Sequence, residues 1–199
     1  MAQLASSITT SRLTLRRFEH GDLDALCAIY ADERVARYLY WDVRDREATR
    51  AVLERKITLP TEVGDENVLP VAVESRESGE LIGDFMLRWT RNEHRQGETG
   101  GSLLPAVHGR GFATEVYAEL LTIGFTMFNL HRVFANCDGR NHASIRSLEK
   151  AGLQREAHLV ENEFVKGEWT DEVILAIRRD EWERQRAQMS SDPTRFRRA

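Results

Sequence analysis

The residues with the clearest chemical meaning are Pro105-Ala106-Val107-His108-Gly109-Arg110-Gly111-Phe112-Ala113, which lie between a strand-like run and a long amphipathic helical pattern. Two glycines at such a junction let the backbone turn tightly, so successive N–H groups converge at the positive end of the helix. That arrangement suits an anion, and phosphate or pyrophosphate is its natural guest. Glycines at a helix start also serve ordinary turns, so the junction alone leaves both readings open. It lacks the Gly-Lys-Ser/Thr ending of a P-loop and the third glycine of a dinucleotide fingerprint, which sets aside nucleoside triphosphates and NAD. The chain has no Gly-x-Ser-x-Gly elbow and no His-Glu-x-x-His, and its six histidines form no ligand cluster. No metal is expected. Cys27 and Cys137 lie far apart, match no metal or redox spacing, and suit a reducing compartment.

The elements that must hold this junction follow from periodicity. Residues 11–17 alternate Leu13 and Leu15 with polar neighbours, as a half-buried strand does. A helix is expected from about Leu23 to Ala31 after the His20-Gly21-Asp22 turn, and another over 46–57, ended by Pro60. Between them Tyr38, Tyr40 and Trp41 either wall an acceptor pocket or form a small satellite core. Residues 68–74 and 80–90 read as a hairpin, 91–97 as a polar loop, and 98–104 as a strand stopped by Pro105. From 112 to 128, Ala113, Val116, Tyr117, Leu120, Leu121, Phe125 and Phe128 keep helical spacing. A buried strand over 132–137, a helix over 143–151 capped by Gly152, a hairpin of 154–165 and 170–178 around Lys166-Gly167, and a helix over 180–188 complete the chain. This mixture predicts an α/β (α+β layered) domain with a mostly antiparallel sheet.

Length and composition agree. A chain of 199 residues supports one core, and 41% hydrophobic with 30% charged residues is ordinary for a soluble domain. The expected organisation is a tail over 1–10, one domain over 11–182, and a helix end with a basic tail over 183–199. No run approaches the roughly 20 apolar residues of a membrane span, and no basic-then-apolar leader opens the chain, so a cytoplasmic protein without a membrane partner is expected. A net charge of −4 gives no basic field for nucleic acid, and Arg195, Arg197 and Arg198 read as a solvated end.

The segment Thr99-Gly100-Gly101-Ser102-Leu103-Leu104-Pro105, followed by His108-Gly109-Arg110-Gly111-Phe112-Ala113-Thr114-Glu115, resembles the acyl-CoA signature of the GNAT acetyltransferases, Gln/Arg-x-x-Gly-x-Gly/Ala. Leu130-His131-Arg132-Val133, Asn141-His142-Ala143-Ser144, Leu148-Glu149-Lys150-Ala151-Gly152-Leu153 and Gly167-Glu168-Trp169-Thr170-Asp171 are similar to the rest of the RimJ/RimL branch, in order and spacing. Ser11-Arg12-Leu13-Thr14-Leu15-Arg16 is similar to its first strand, so the resemblance spans about 11–182.

The resemblance implies the GNAT fold, with acetyl-CoA held where two central strands splay apart and no metal required. His108, Gly109, Arg110, Gly111, Phe112 and Ala113 would cradle the pyrophosphate through main-chain amides, and amides around Leu103 and Leu104 would bind the pantetheine and face the thioester. Glu163, four residues before Gly167, matches the general base. Glu161, two residues away and expected on the same face, is a substitute or neighbour, and Glu98 and Asp84 are weaker alternatives. Ser144 matches the proton donor beside the CoA sulfur, and Asn141 would cap its helix and reach the pantetheine. Two positions depart from the family pattern: His108 stands where Gln, Arg or Trp is usual, and Gly101-Ser102 replaces an aromatic pair, which would reshape the acceptor pocket. The implied activity is transfer of an acetyl group to a primary amine, either a protein N-terminus or a small molecule, by a monomer or homodimer. The alternative is a catalytically silent acyl-CoA-binding or regulatory module.

Overall fold

The computed structural model describes residues 7–59, 66–90 and 93–191. Pro60 and the basic residues Arg195, Arg197 and Arg198 lie outside them. Eight strands form one sheet in the order β1-β2-β3-β4-β5-β6-β8-β7. They are β1 (Ile8–Thr9), β2 (Leu13–Arg16), β3 (Glu66–Ser75), β4 (Leu81–Thr90), β5 (Gln96–Leu103), β6 (Arg132–Asp138), β7 (Gln154–Val165) and β8 (Glu168–Arg178). The helices are α1 (Leu23–Tyr30), α2 (Glu33–Ala36), α3 (Arg46–Thr58), α4 (Phe112–Thr122), α5 (His142–Lys150) and α6 (Arg179–Ser191). Among the described residues no helix is long and apolar enough to cross a membrane.

The period-2 pattern decides which face each strand residue serves. Leu13 and Leu15 of β2, Val71 and Val73 of β3, Phe85 and Leu87 of β4, Val133 and Ala135 of β6 and Val173, Leu175 and Ile177 of β8 bury against Val116, Tyr117, Leu120 and Leu121 of α4 and Ile145 and Leu148 of α5. The opposite face packs a smaller core of Leu26, Ile29, Tyr30 and Leu53 from α1 and α3. There Asp84 of β4 is bonded by the Tyr30 hydroxyl and ion-paired to Lys56 at 2.8 Å. A carboxylate so engaged is a structural group, so Asp84 is removed from the candidate bases.

Two helical expectations change. Residues 33–36 form the short α2, begun by Asp32, whose side chain accepts from the Arg34 amide at 2.9 Å. The helix expected over 112–128 ends as an α-helix at Thr122 and widens into a π turn over Ile123–Met127. Gly124 within that turn lies directly on the sheet: a Cβ there would meet Leu130 at 3.2 Å and Leu87 and Val133 at 3.4 Å. Widening the turn here still buries Phe125 and lets Phe128 stack on Trp89 at 4.0 Å.

What positions the site is the one parallel pairing among the described residues. β5 and β6 run together only over Gln96↔Arg132, Gly97↔Val133 and Glu98↔Phe134. Beyond these residues β5 continues to Leu103 and β6 to Asp138 without pairing each other, while each stays bonded to its antiparallel neighbour, β4 and β8. Backbone N–H and C=O groups left without a ladder partner must be met by a ligand or water.

Candidate active site

Two cavities open where β5 and β6 part. The larger, of about 550 Å³, runs along the end of β5, the 107–114 turn and α5. The smaller, of about 130 Å³, lies between β5, β6, β7 and β8. Tyr38, Leu39, Gly101, Tyr117, Asn141 and Ser144 line both, so the two meet in the gap between the strands.

The backbone of β5 shows which amides face this gap. The Leu104 amide donates to the Ile82 carbonyl at 2.9 Å, while Leu103 stands opposite Gly83. Antiparallel bonding alternates, so Ser102 and Leu104 bond to β4 whereas Gly101 and Leu103 turn their N–H groups toward the gap. Leu104 is thus corrected: its amide is engaged and it does not line the larger cavity, and Gly101 takes its place beside Leu103. The Leu103 carbonyl pairs with His108 Nε2 at 3.1 Å. A carbonyl can only accept, so Nε2 carries the proton. His108 therefore braces the turn against β5 as well as contributing backbone.

Gly109 and Gly111 both adopt left-handed φ, +76° and +79°, and Gly111 is the N-cap of α4 without any side-chain cap. The first-turn amides of Phe112, Ala113 and Thr114 have no intrahelical acceptor, and these residues line the larger cavity with His108, Gly109 and Gly111. Arg110 departs from expectation. It does not line the cavity; its guanidinium turns outward to Glu77 at 3.1 Å and over the Phe112 ring. Its carbonyl accepts from Arg12 Nη1 at 2.7 Å, and Arg12 is ion-paired to Glu115 on α4. Burial alone would raise the Glu115 carboxyl, but hydrogen bonds from Thr10, Arg12 and Ser11 outweigh it and hold the group below its usual range. The chain before β2 thereby straps down the cradle. Arg146 and Lys150 of α5 also line this cavity and enter no ion pair among the described residues, which leaves their charge for a polyanion.

Asn141 and Ser144 sit at the start of α5. Asn141 Oδ1 accepts from the Ser144 amide at 3.1 Å, so its oxygen is a helix cap, and its amide nitrogen is a donor for a ligand. Ser144 Oγ lies 3.6 Å from Cys137 Sγ on β6. Asn141→Ala is expected to cost about 1 kcal/mol of stability through the lost cap and to raise the KM for acetyl-CoA. Urea unfolding and donor titration check the two effects separately.

Glu163 lines the smaller cavity opposite Thr170, as does Glu172 two residues further along β8. The other nearby carboxylates are engaged: Glu98 by Arg88, Asp138 by Arg140 at 2.7 Å, and Asp171 by His158 at 2.7 Å. Among the described residues no hydrogen bond or ion pair engages the Glu163 carboxylate. Glu161 is corrected. Three residues of β7, Val160 to Asn162, stand against the single Asp171 between Glu172 and Thr170 on β8, so alternation does not carry from Glu163 to Glu161. Glu161 has φ +48°, donates its amide to Asp171 at 3.0 Å, and does not line the cavity.

The aromatic segment after α2 divides between a cavity and the second core. Tyr38 and Tyr40 wall the smaller cavity, while Trp41 packs edge-on against Tyr30, with ring centroids 4.8 Å apart, in the second core. At Gly101 a Cβ would lie 2.4 Å from Phe85 ring carbons and 2.7 Å from the Asp84 carbonyl. The Phe85 ring of β4 thus takes the space beside Gly101, and it packs edge-on to Tyr117.

Sequence reasoning missed Tyr117 and Glu172. Tyr117 sits on the apolar stripe of α4 and is indistinguishable there from core, yet it lines both cavities together with Ser144; burial raises this phenol, Cys137 adds to the rise, and Ser144 partly offsets it. The signal for Glu172 was a charge opening the apolar run Glu172-Val173-Ile174-Leu175.

The acetyltransferase (GNAT) domain model matches residues 12–154. The chain belongs to the GNAT acetyltransferases, and its eight-stranded mixed sheet with flanking helices is the GNAT fold. It is 32% identical over 175 residues to an uncharacterized N-acetyltransferase, YnaD, of Bacillus subtilis, covering 88% of this chain and 98% of that one. It is 27% identical to spermidine N(1)-acetyltransferase of Vibrio cholerae, covering 81% of this chain and 90% of that protein. Among solved structures, a GNAT-family acetyltransferase from Bacillus anthracis matches with TM-score 0.77 at 26% identity, over 88% of this chain and 99% of that one. The Vibrio cholerae spermidine N-acetyltransferase in complex with CoA and spermine matches with TM-score 0.72 at 26% identity, over 87% and 99%. The chain is an N-acetyltransferase of this family.

Proposed function

We propose that this GNAT protein, of the RimJ/RimL-like branch, transfers an acetyl group from acetyl-CoA to a small cationic primary amine, with Glu163 as base and Ser144 as proton donor. The observation that carries the reading is the free Glu163 carboxylate in a cavity that meets the donor cleft at Ser144 and Gly101. An amine is an ammonium ion at neutral pH and cannot attack until a base removes a proton. The deprotonated nitrogen then attacks the thioester carbon, forming an N–C bond as the C–S bond breaks. The Gly101 and Leu103 amides suit the carbonyl oxygen as charge develops there. Ser144 gives its proton to the departing thiolate and takes back the second proton that the attacking nitrogen must shed, so a neutral amide and a free thiol leave the site.

A cationic acceptor is supported by the carboxylates around the smaller cavity and by relatives that are named for spermidine. A protein N-terminus is the second reading. Release of thiol from acetyl-CoA with spermidine, an amino sugar, an amino acid and a short peptide separates the two: turnover with spermidine is expected, and turnover with the peptide alone would favour the second. No thiol release with any amine, despite CoA binding, would favour a silent binding module. Ser144→Ala is expected to lower turnover by about tenfold, less than the roughly 10²–10⁴ usual for proton transfer because a thiolate leaves readily. Rates at saturating donor check this.

A further inference from the structure

Glu172 has no task in the mechanism above, yet its placement is unusual for a carboxyl group. Only 8% of it is exposed, although it lies on a strand whose neighbours Val173 and Leu175 are core. The distortion of β7 has a consequence at this point. The extra residues between Leu159 and Glu163 bring Asn162 to Glu172, where Asn162 Nδ2 donates to Oε2 at 2.7 Å. The same distortion places Glu163 opposite Thr170, on the cavity that Glu172 lines.

We propose that Glu172 is a second catalytic carboxylate, which shares with Glu163 the proton that the acceptor ammonium gives up. The inference rests on the reading of Glu163 as base and deepens it. An N–H bond of the ammonium breaks and an O–H bond forms on Glu163. The proton then resides between the two carboxyls while the free amine attacks the thioester, and it returns to solvent through the more exposed Glu163. Keeping two carboxylates charged on one cavity is costly, which favours uptake of the single proton that the ammonium gives up.

The electrostatics agree with this geometry. Burial first, then the negative charge of Glu163, raises the Glu172 carboxyl above its usual range; the Asn162 hydrogen bond lowers it in part, and Glu98 adds a further rise. The other groups around the cavity are accounted for. From β6, Asp138 is paired to Arg140, and Cys137 is a buried thiol raised mainly by that burial. From β8, Asp171 is held by the Glu161 amide and by His158. Glu98 is paired to Arg88. Tyr38 and Tyr40 face in from the segment after α2, and the Tyr40 phenol is raised by burial and by Glu163, Glu172, Glu98 and Asp138. Lys166 at the hairpin turn is turned away to the Ala36 carbonyl and Asp42.

The test is the pH profile of kcat/KM for spermidine in the whole protein, in which the acid limb reports the pair. Asn162→Leu removes the hydrogen bond that favours the charged form, so the limb should move to higher pH. Glu163→Gln removes the charge that favours the neutral form, so the residual activity should show a limb moved to lower pH. Glu172→Gln should lower turnover at least tenfold with acetyl-CoA affinity unchanged, and Glu172→Asp should recover part of it. A Glu172→Gln enzyme with unchanged turnover, or an Asn162→Leu enzyme whose melting temperature changes while its acid limb does not, would overturn the proposal and leave Glu163 as the lone base. If Glu172→Gln does not fold, the opposite limb shifts of the other two variants still decide. Failure of the underlying reading looks different: Glu163→Gln would then keep full turnover.

Discussion

Glu163→Gln is expected to lower turnover by roughly a hundred-fold or more, the usual worth of a general base, while acetyl-CoA affinity stays as it was. The substitution keeps shape and removes only the capacity to take a proton. Its side chain lies in the smaller cavity, away from the 108–113 cradle that would hold the donor. Calorimetric titration with CoA beside steady-state rates separates the two quantities. An unchanged rate would move the base elsewhere, with Glu172 the next carboxylate in the cavity. A fall in donor affinity of similar size would make Glu163 a structural group instead.

The second large effect is expected at Gly111. Its φ of +79° is one that β-branched side chains rarely adopt, and Gly111→Val forces either strain of about 1–2 kcal/mol or a rebuilt cap. Any rebuilding re-aims the first-turn amides of α4, the donors that a phosphate there would need. Affinity for CoA should fall by at least about tenfold, which 1.4 kcal/mol suffices to cause, and the thermal stabilisation by CoA should shrink with it. Gly167 is the control. It has a similar φ of +84° at the turn between β7 and β8 with no atom near its missing Cβ, so Gly167→Val should carry strain but leave CoA affinity intact. Equal loss of affinity in both variants would mean that the effect at Gly111 is general destabilisation.

Much of this architecture was legible because its signals are local. The alternation of Leu13 and Leu15, the stripe on α4 and the glycine pair before it each reflect a single element, and each lies where periodicity places it. The ordered motifs added the family and its splayed strands, which no local pattern contains. What could not be read depends on partners distant in sequence. The engagement of the Leu104 amide follows from the β4–β5 register, and the loss of Asp84 as a base follows from Tyr30 and Lys56 arriving from α1 and α3. Glu161 was misplaced because the period-2 rule assumes an unbroken strand, and β7 is broken between Leu159 and Glu163. Glu172 and Tyr117 escaped notice because a charge beside an apolar run and an aromatic on an apolar stripe look like a strand end and a core residue until the gap between β5 and β6 is seen.

The most direct test of the central claim is a crystal structure of the protein with CoA. The pyrophosphate should lie on the backbone of residues 108–113, and the pantetheine should follow β5 through the Gly101 and Leu103 amides, with the thiol in the gap beside Ser144 and open to the cavity that holds Glu163. A CoA molecule bound outside that gap, or one whose thiol is walled off from Glu163, would contradict the account.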